Sequence, residues 1–588
     1  MSAPSELTLE LRETNWDRLG SEKFDILIIG GGSVGVGAAL DAATRGLKVA
    51  MVEARDLACG SSSRSSKMFH GGLRYLQPNP IPQFGLVAES LHERELSMHT
   101  LAPHLVKPLK FIYPLTKPFI ERPIMFCGFT LYDRMGGAKT VPIQKHFSRK
   151  SILKKIPSLK PKATCGGVQY YDTLVDDARH TMMVGRTAAK YGAVIRTSTQ
   201  VIDFLKEGDR IVGVTIKDTE DGRTENVHAS AVINATGVWT DEMQDLAGAK
   251  AAFHVHQSKG IHIVVPKECI KSDSALCFVT EKSVLFVIPW GNYWIVGTTD
   301  TSYKLDLAHP AATKTDIDYV LDELNSRLQE PVTYADIVGV YAGLRPLVAQ
   351  AGQENTEKLA RNHEVAHLCP GLVSVAGGKY TTYRVIGKDA VEAALQDVPG
   401  QVSESTTEET PIIGADGYWA LTNQLDALAA KYGITVAQVD HLLNRYGSLI
   451  FDVLSYAKDD ESLKKPITNA EGYLRVEAVD AAAVEGALHL EDVIARRTRI
   501  SIEYDDRGMD SAQEIADLIA PILGWDDATK AKEVKLYQDR VVAELNSQKA
   551  LTDEEADARR NEAAEALSLI HISEPTRLII RSRMPSSA

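Results

Sequence analysis

The sequence predicts an α/β chain, α+β overall, in three parts: a parallel βαβ-based domain, an antiparallel β-sheet domain and an all-helical C-terminal domain. Three observations carry that prediction. Between residues 24 and 53 an apolar run, a glycine-rich turn, a helical stretch and a second apolar run follow one another. Short β-branched and aromatic runs, punctuated by Pro and Gly, recur between 250 and 345. Ala/Leu-periodic sequence of helical type fills 417 to about 548. At 588 residues the chain can bury more than one core.

The βαβ unit comes first. FDILII reads as a strand, Gly30, Gly32 and Gly35 follow at G-x-G-x-x-G spacing, Val36 to Arg45 reads as a helix stopped by Gly46, and LKVAMV is a second strand ending on Glu53. Gly30 permits the tight turn, Gly32 lets backbone approach a pyrophosphate, and Gly35 lets the helix pack close to the strand. The helix N-terminus, with Ser33 in its first turn, offers free N–H groups and a favourable dipole to a diphosphate. Glu53, 18 residues past Gly35, can accept hydrogen bonds from both hydroxyls of a ribose. The unit is therefore Rossmann-like and binds a dinucleotide.

The following segment selects which one. Residues 58–76 read ACGSSSRSSKMFHGGLRYL, a polar loop directly after the acid. A nicotinamide-binding unit usually continues into another helix. A flavin-binding unit runs such a loop under the diphosphate and along the isoalloxazine, which makes Ser62, Ser63, Ser65, Lys67, Gly71 and Gly72 candidate contacts of FAD. The apolar strand AVIN, running into ATG, adds Ala235, Thr236 and Gly237, and Val201 falls where backbone atoms meet adenine. In GLVSVAGGKYTTYR a strand, a Gly-Gly turn and a helix start offer Gly378, Lys379, Thr381 and Thr382 to the pyrimidine edge of the flavin.

The remaining elements are assigned in order. Residues 1–22 read as an N-terminal extension with a short amphipathic helix. The FAD domain is discontinuous, over 23–100, 170–245 and 346–395. Residues 101–169 and 246–345 form the substrate domain, with the Pro- and aromatic-rich 105–165 as a surface excursion of it and DIDYVLDELNSRL as a helix interrupting its sheet. A polar, turn-rich linker leads to the helical domain, 405–550, which suits either homodimer formation or capping of the other domains. Residues 567–588 shift abruptly to basic, Ser- and Pro-containing sequence and read as a non-native tail.

The net charge of −13 argues against nucleic acid as a partner and requires a local basic cluster to draw in an anionic substrate. The six cysteines form no C-x-x-C pair and no His spacing suggests zinc, so no metal site is expected. Scattered cysteines, a charged N-terminus and the lack of any apolar run of about 18 residues suit a cytoplasmic chain without signal peptide or membrane-spanning helix.

The motifs GGGSVGVGAALDAATRGLKVAMVE, SSSRSSKMFHGGLRYL, VDDAR, INATGVWTD, KGIHIVVP, FVIPW, GTTD, YAGLRPL and GGKYTTYR occur in this order. Together they resemble the FAD-dependent, quinone-linked glycerol-3-phosphate dehydrogenase family of the D-amino-acid-oxidase-like flavoproteins, over about 20–395 and more weakly over about 405–545. SSKMFHGGLRYL is far more specific than the glycine fingerprint. Ser33-Val34 departs from the pair usual in that family's fingerprint, at positions that are free in the motif. The resemblance implies oxidation of sn-glycerol 3-phosphate at C2 to dihydroxyacetone phosphate, hydride transfer to FAD, and electron delivery to quinone by a protein peripheral on the inner face of the cytoplasmic membrane. The alternative is an oxidase that uses O2 and forms H2O2; such oxidases carry an insertion in the substrate region, and none is seen between 250 and 345.

The resemblance also implies the site. Arg345 in LRPL would clamp the anion or a developing alkoxide. Arg74 and Tyr75 would supply a cation and a hydroxyl, and Arg361 a further cation. Lys379, at a helix start, would hold the phosphate or offset charge on reduced flavin. His262, on a strand, and His70, on the flavin loop, are competing bases. Thr299-Asp300 reads as a turn shaping the pocket and Cys59 as a packing residue.

Overall fold

The computed structural model describes residues 5–72, 84–117, 119–135, 141–280, 284–350 and 363–564. Arg74, Tyr75 and Arg361, and the tail 567–588, lie outside the described residues.

A first sheet is parallel at its centre. The strands Leu372–Gly377, Thr224–Asn234, Lys23–Ile29, Val49–Val52 and Val194–Arg196 lie side by side in that order and run parallel. His363–Cys369 adds an antiparallel edge, and Thr199–Glu207 and Arg210–Asp218 make an antiparallel flap on Thr224–Asn234. The strand cores (Ile26, Ile28, Val49, Met51, Ile233, Val373) are buried against the helices Ser33–Thr44, Asp177–Lys190 and Tyr383–Ala394. The N-terminal helix Leu9–Ser21 buries Trp16 and Leu19 on the opposite face. Chain order reverses at Lys23–Ile29, and a crevice opens where such sheets bind ligands, outside the strands' C-terminal ends.

Among the described residues, the second sheet has ten strands. All its pairings are antiparallel except that of Ala275–Val279 with Val106–Leu115. Its spine is the long ladder of Phe253–Pro266 with Gly339–Gln350, in which Gly260 faces Gly343, Ser258 faces Arg345 and His262 faces Tyr341. The helix Lys314–Asn325 covers its outer face, started by a capping box between Thr313 and Asp316. Val106–Leu115 corrects the expected surface excursion: it is a largely buried interior strand, and the exposed parts of the stretch include the helix after it, Glu121–Met135, and the short edge strand Lys145–Ser148. Gly166–Val175 and Gly339–Gln350 are whole strands of this sheet, so the expected domain limits at 170 and 346 fall inside strands.

The C-terminal region is helical apart from the small hairpin of Pro466–Ile467 and Ala470–Leu474. It fastens to the first sheet's domain by a buried lattice of charges. Arg497 Nη1 and Nη2 donate to Asp56 at 2.6 and 2.7 Å, Arg496 Nε joins the same carboxylate, and Arg499 reaches Asp176 and Asp177. Arg179, on Asp177–Lys190, pairs with Glu485. Each partner is nearly or fully buried, where a lone charge is costly and a matched one is held in place. The last helix, Asp553–Arg560, returns to the second sheet: Lys259 Nζ donates to Asp316 Oδ2 at 2.6 Å and also pairs with Asp553.

Candidate active site

A cavity of about 950 Å³ runs from the C-terminal ends of the first sheet to the inner face of the second. At one end it is lined by Gly30, Gly32, Ser33, Glu53, Val201, Ala235, Thr236 and Gly237. At the other it meets Ser65, Ser66, His70, His262, Arg345, Gly378, Lys379 and Thr381, with Ser62 between.

Two glycines of the fingerprint do different work. A Cβ on Gly35 would stand 1.9 Å from Gly30 O, so this residue is fixed by helix-on-strand packing and does not line the cavity. A Cβ on Gly32 would meet only Ser62 Oγ, at 3.3 Å; the room there faces the cavity, at the N-cap of Ser33–Thr44. Ser33 N donates to Ser62 Oγ at 2.9 Å. Glu53 is oriented by its own turn, its Oε2 accepting from Gly31 N at 2.7 Å and its Oε1 from Arg55 N at 2.9 Å. An open helix N-terminus, a carboxylate one turn away and a long cavity beyond them fit a dinucleotide.

Five other expected contacts do not line the cavity. Lys67 is fully buried; its Nζ donates to Asp177 Oδ1 at 2.9 Å and to Ser63 O at 3.1 Å, so it braces the loop from behind. Ser63 lies in that brace, and Asp177 also accepts from Ser65 N and Oγ at 2.9 and 2.7 Å. Gly71 N donates to Tyr132 Oη at 2.8 Å. Gly72 follows it, and Thr382 is buried in the turn after Lys379, outside the lining. Their roles are to shape the loop and turn.

At the far end, the ladder puts Ser258, Gly260 and His262 of one strand and Arg345, Gly343 and Tyr341 of its neighbour on one face. His262 is 2 % exposed, stacks on Tyr341 at 4.8 Å and forms a hydrogen bond with Ser66 Oγ at 2.9 Å from Nε2. Burial, then the cations of Arg345 and Lys67, hold its ring well below the usual imidazole range, so it is neutral at pH 7. Its Nδ1 is buried with no partner among the described residues. Arg345 spreads over the cavity wall: Nη2 donates to Thr298 Oγ1 at 3.1 Å and Thr299 O at 3.2 Å, and Nη1 reaches Ser258 Oγ at 3.3 Å and Asp300 at 3.4 Å. A Cβ on Gly260 would stand 2.5 Å from Arg345 Nη2, so the guanidinium lies where only glycine leaves room. Lys379 Nζ donates to Ser90 Oγ at 3.0 Å, and the Thr381 hydroxyl bonds the backbone of His70 through both its N–H and its C=O.

Ser66, Asp300 and Arg64 were not singled out by sequence reasoning as site residues. Ser66 lies in the Ser-rich loop, whose composition does not distinguish one serine from another. Asp300 was read as part of a turn, and its pairing with Arg345 follows from a sheet register that local sequence does not encode.

A family model described as "FAD dependent oxidoreductase" matches residues 25–384, and one described as "C-terminal domain of alpha-glycerophosphate oxidase" matches 405–530. The chain is 59% identical over 555 residues to "Glycerol-3-phosphate dehydrogenase 2" of Mycobacterium tuberculosis, covering 94% of each. It is 57% identical over 566 residues to "Glycerol-3-phosphate dehydrogenase" of Mycobacterium leprae, covering 96% of each. The crystal structure of the glycerol-3-phosphate dehydrogenase from Bacillus halodurans complexed with FAD superposes with a TM-score of 0.75 and 26% identity, over 91% of this chain and 98% of that one.

Proposed function

The chain belongs to the family of FAD-dependent glycerol-3-phosphate dehydrogenases, and on that footing we propose that it oxidises sn-glycerol 3-phosphate at C2 to dihydroxyacetone phosphate and passes the electrons to membrane quinone. Its cofactor is FAD, which supplies the hydride acceptor. The observation that supports the reaction best is one cavity with a dinucleotide half-site at one end and, at the other, a neutral histidine beside an arginine and a lysine. Gly30, Gly32, Ser33, Glu53, Ser62, Val201, Ala235, Thr236 and Gly237 hold the cofactor. Arg345 and Lys379 hold the phosphate, Arg345 as a planar fork and Lys379 as a point charge. His262 takes the C2 hydroxyl proton at Nε2, the nitrogen that meets Ser66 in the free enzyme. His70 is the second candidate base. Such positioning can supply about 7–11 kcal/mol of the barrier, so most of the site is clamp.

Electron delivery to quinone requires contact with a membrane surface. No helix among the described residues is long and apolar enough to cross one. Glu121–Met135 suits lying on one. It buries Phe129 and Tyr132, and it exposes Ile124, Phe126 and Leu131 next to Phe119, which is 91% exposed, and Ile120. Lys117, Arg122 and Arg134 supply positive charge around that apolar face, as anionic lipid would require. The same helix bonds the flavin loop through Tyr132 Oη and Gly71 N, which ties membrane contact to the redox site.

The test is anaerobic. Glycerol 3-phosphate should bleach the flavin band, and a quinone analogue should restore it much faster than oxygen does. Equal reoxidation by oxygen with peroxide formation would favour the oxidase, and absence of bleaching would overturn the substrate. Ile124→Glu/Phe126→Glu should lose co-sedimentation with anionic vesicles while still bleaching with substrate. Unchanged sedimentation would remove this helix as the docking face.

A further inference from the structure

A second cavity, of about 110 Å³, lies between the C-terminal helices and the second sheet. It is several times the roughly 30 Å³ that a water molecule occupies in the liquid. Its wall is unusually rich in arginine. Arg496 and Arg499 are matched there by Asp56, Asp492, Asp176 and Asp177, and Arg540 by Glu491. Arg64, Arg507 and Arg560 are not: no ion pair joins any of them to a carboxylate among the described residues.

Their hydrogen-bond partners are backbone carbonyls and a ring nitrogen. Arg64 Nη1 donates to Ala308 O at 3.0 Å, and Arg507 Nη1 to Val338 O. Arg560 Nη2 and Arg540 Nη2 both approach His309 Nδ1, at 3.2 and 3.1 Å, so two guanidinium groups converge on one ring nitrogen. Arg507 is 6% exposed and Arg560 4% exposed, and Arg507 Nε is buried with no hydrogen-bond partner among the described residues. Burying cations this way is expensive unless an anion completes the set. Glu544 is the remaining carboxylate in the lining; it is half-buried, and its charge acts on Arg507 without an ion pair between them. Burial, with the neighbouring charges of Arg55, Arg496 and Arg560, brings the Arg64 guanidinium down to about 10.

We infer that this cavity is a second anion site, which binds one phosphate-class oxyanion bridging Arg64, Arg507 and Arg560. Three forked donors arriving from three elements need an acceptor with several oxygens; a tetrahedral dianion offers four, a carboxylate only two. The site is separate from the phosphate clamp at Arg345, which lies in the main cavity. Arg64 lines both cavities, so an anion held here ties the C-terminal helices to the loop that flanks the flavin. The assignment rests on the cation set alone and does not depend on the identity of the oxidised substrate.

Equilibrium dialysis of the holoenzyme against radiolabelled inorganic phosphate tests it. Arg345→Ala/Lys379→Ala holoenzyme, whose main-cavity clamp is removed, should retain one bound phosphate per chain. Arg507→Gln and Arg560→Gln, each made in that background, should weaken it at least tenfold while keeping a native flavin absorbance spectrum that reports an intact fold. If the Arg345→Ala/Lys379→Ala protein binds no phosphate, or if both added substitutions leave binding unchanged, the assignment is wrong. Should one variant fail to retain FAD, the other still decides. Competition with unlabelled glycerol 3-phosphate distinguishes the sources: displacement means that the site takes a phosphomonoester, and its absence means that it selects the free ion.

Discussion

His262 and Arg345 set the expectations at the scale of single residues. Arg345→Ala removes charge-assisted hydrogen bonds worth about 1.5–3 kcal/mol, so kcat/KM for glycerol 3-phosphate should fall roughly 10–100-fold. Lysine at 345 should restore little, because a point charge cannot reproduce a fork. A fall of less than threefold would reassign Arg345 to pairing with Asp300. His262 titrates well below the imidazole value of about 6.5, so the acid limb of the kcat/KM profile should lie below that pH. His262→Asn should lower kcat by roughly 10²–10⁴ and abolish that limb, whereas His70→Asn should leave it in place; the reverse result would make His70 the base. The same shift acts on stability. The fold prefers the neutral ring, so this contribution is full above about 6.5 and lost as pH falls below it. At this scale Arg345 and His262 were readable in their motifs. Ser66, which bonds the histidine, was not, because nothing local marks one serine in a run of them.

At the scale of elements, the βαβ unit separates two glycine effects. Gly35→Ala puts a methyl against the Gly30 carbonyl and should yield little folded protein. Gly32→Ala should give a folded chain that retains FAD poorly, read as the flavin-to-protein absorbance ratio after gel filtration. Equal flavin content in Gly32→Ala and wild type would show that no ligand approaches there. This unit could be derived from sequence because strand, turn, helix and acid are contiguous and each follows from a local rule. Val106–Leu115 could not. Pro108 and Pro114 made it look like a loop, yet both lie where the strand pairs on one side only. Ladders run along both sides just at Phe111 and Ile112. Which side of a strand is bonded depends on neighbours distant in sequence.

The whole molecule is joined by contacts that no local pattern encodes. Asp56 and Arg497 are 441 positions apart, and both are buried. Removing one partner strands the other, so Asp56→Ala should cost about 3–5 kcal/mol and lower the unfolding midpoint of the holoenzyme together with FAD retention. An unchanged midpoint would mean that water replaces the pair. Asp480 gives a second reading of the same interior. Burial first, then the charge of Glu485, pushes its carboxyl up to about 8. The proton it keeps stabilises the fold fully below the ordinary carboxylate value, and that contribution is lost as pH rises toward about 8. Asp480→Asn should therefore raise the unfolding midpoint at pH 8 more than at pH 5; equal gains at both would deny the titration. The three-part architecture was legible from composition and periodicity, but the charge lattice that fixes the parts to one another was not.

The Asp553–Arg560 helix gives the protein an order of completion. It lines the second cavity, supplies Asp553 to Lys259, and is followed by Asn561 and Ala563 in the wall of the main cavity. On the ribosome it emerges hundreds of residues after the flavin loop. A nascent chain that stalls before it leaves Lys259 with only one of its two carboxylates and the substrate chamber without its final wall. A chain cut before Asp553 should therefore unfold at a lower midpoint than the full chain, with Asp316 left as the one carboxylate on buried Lys259.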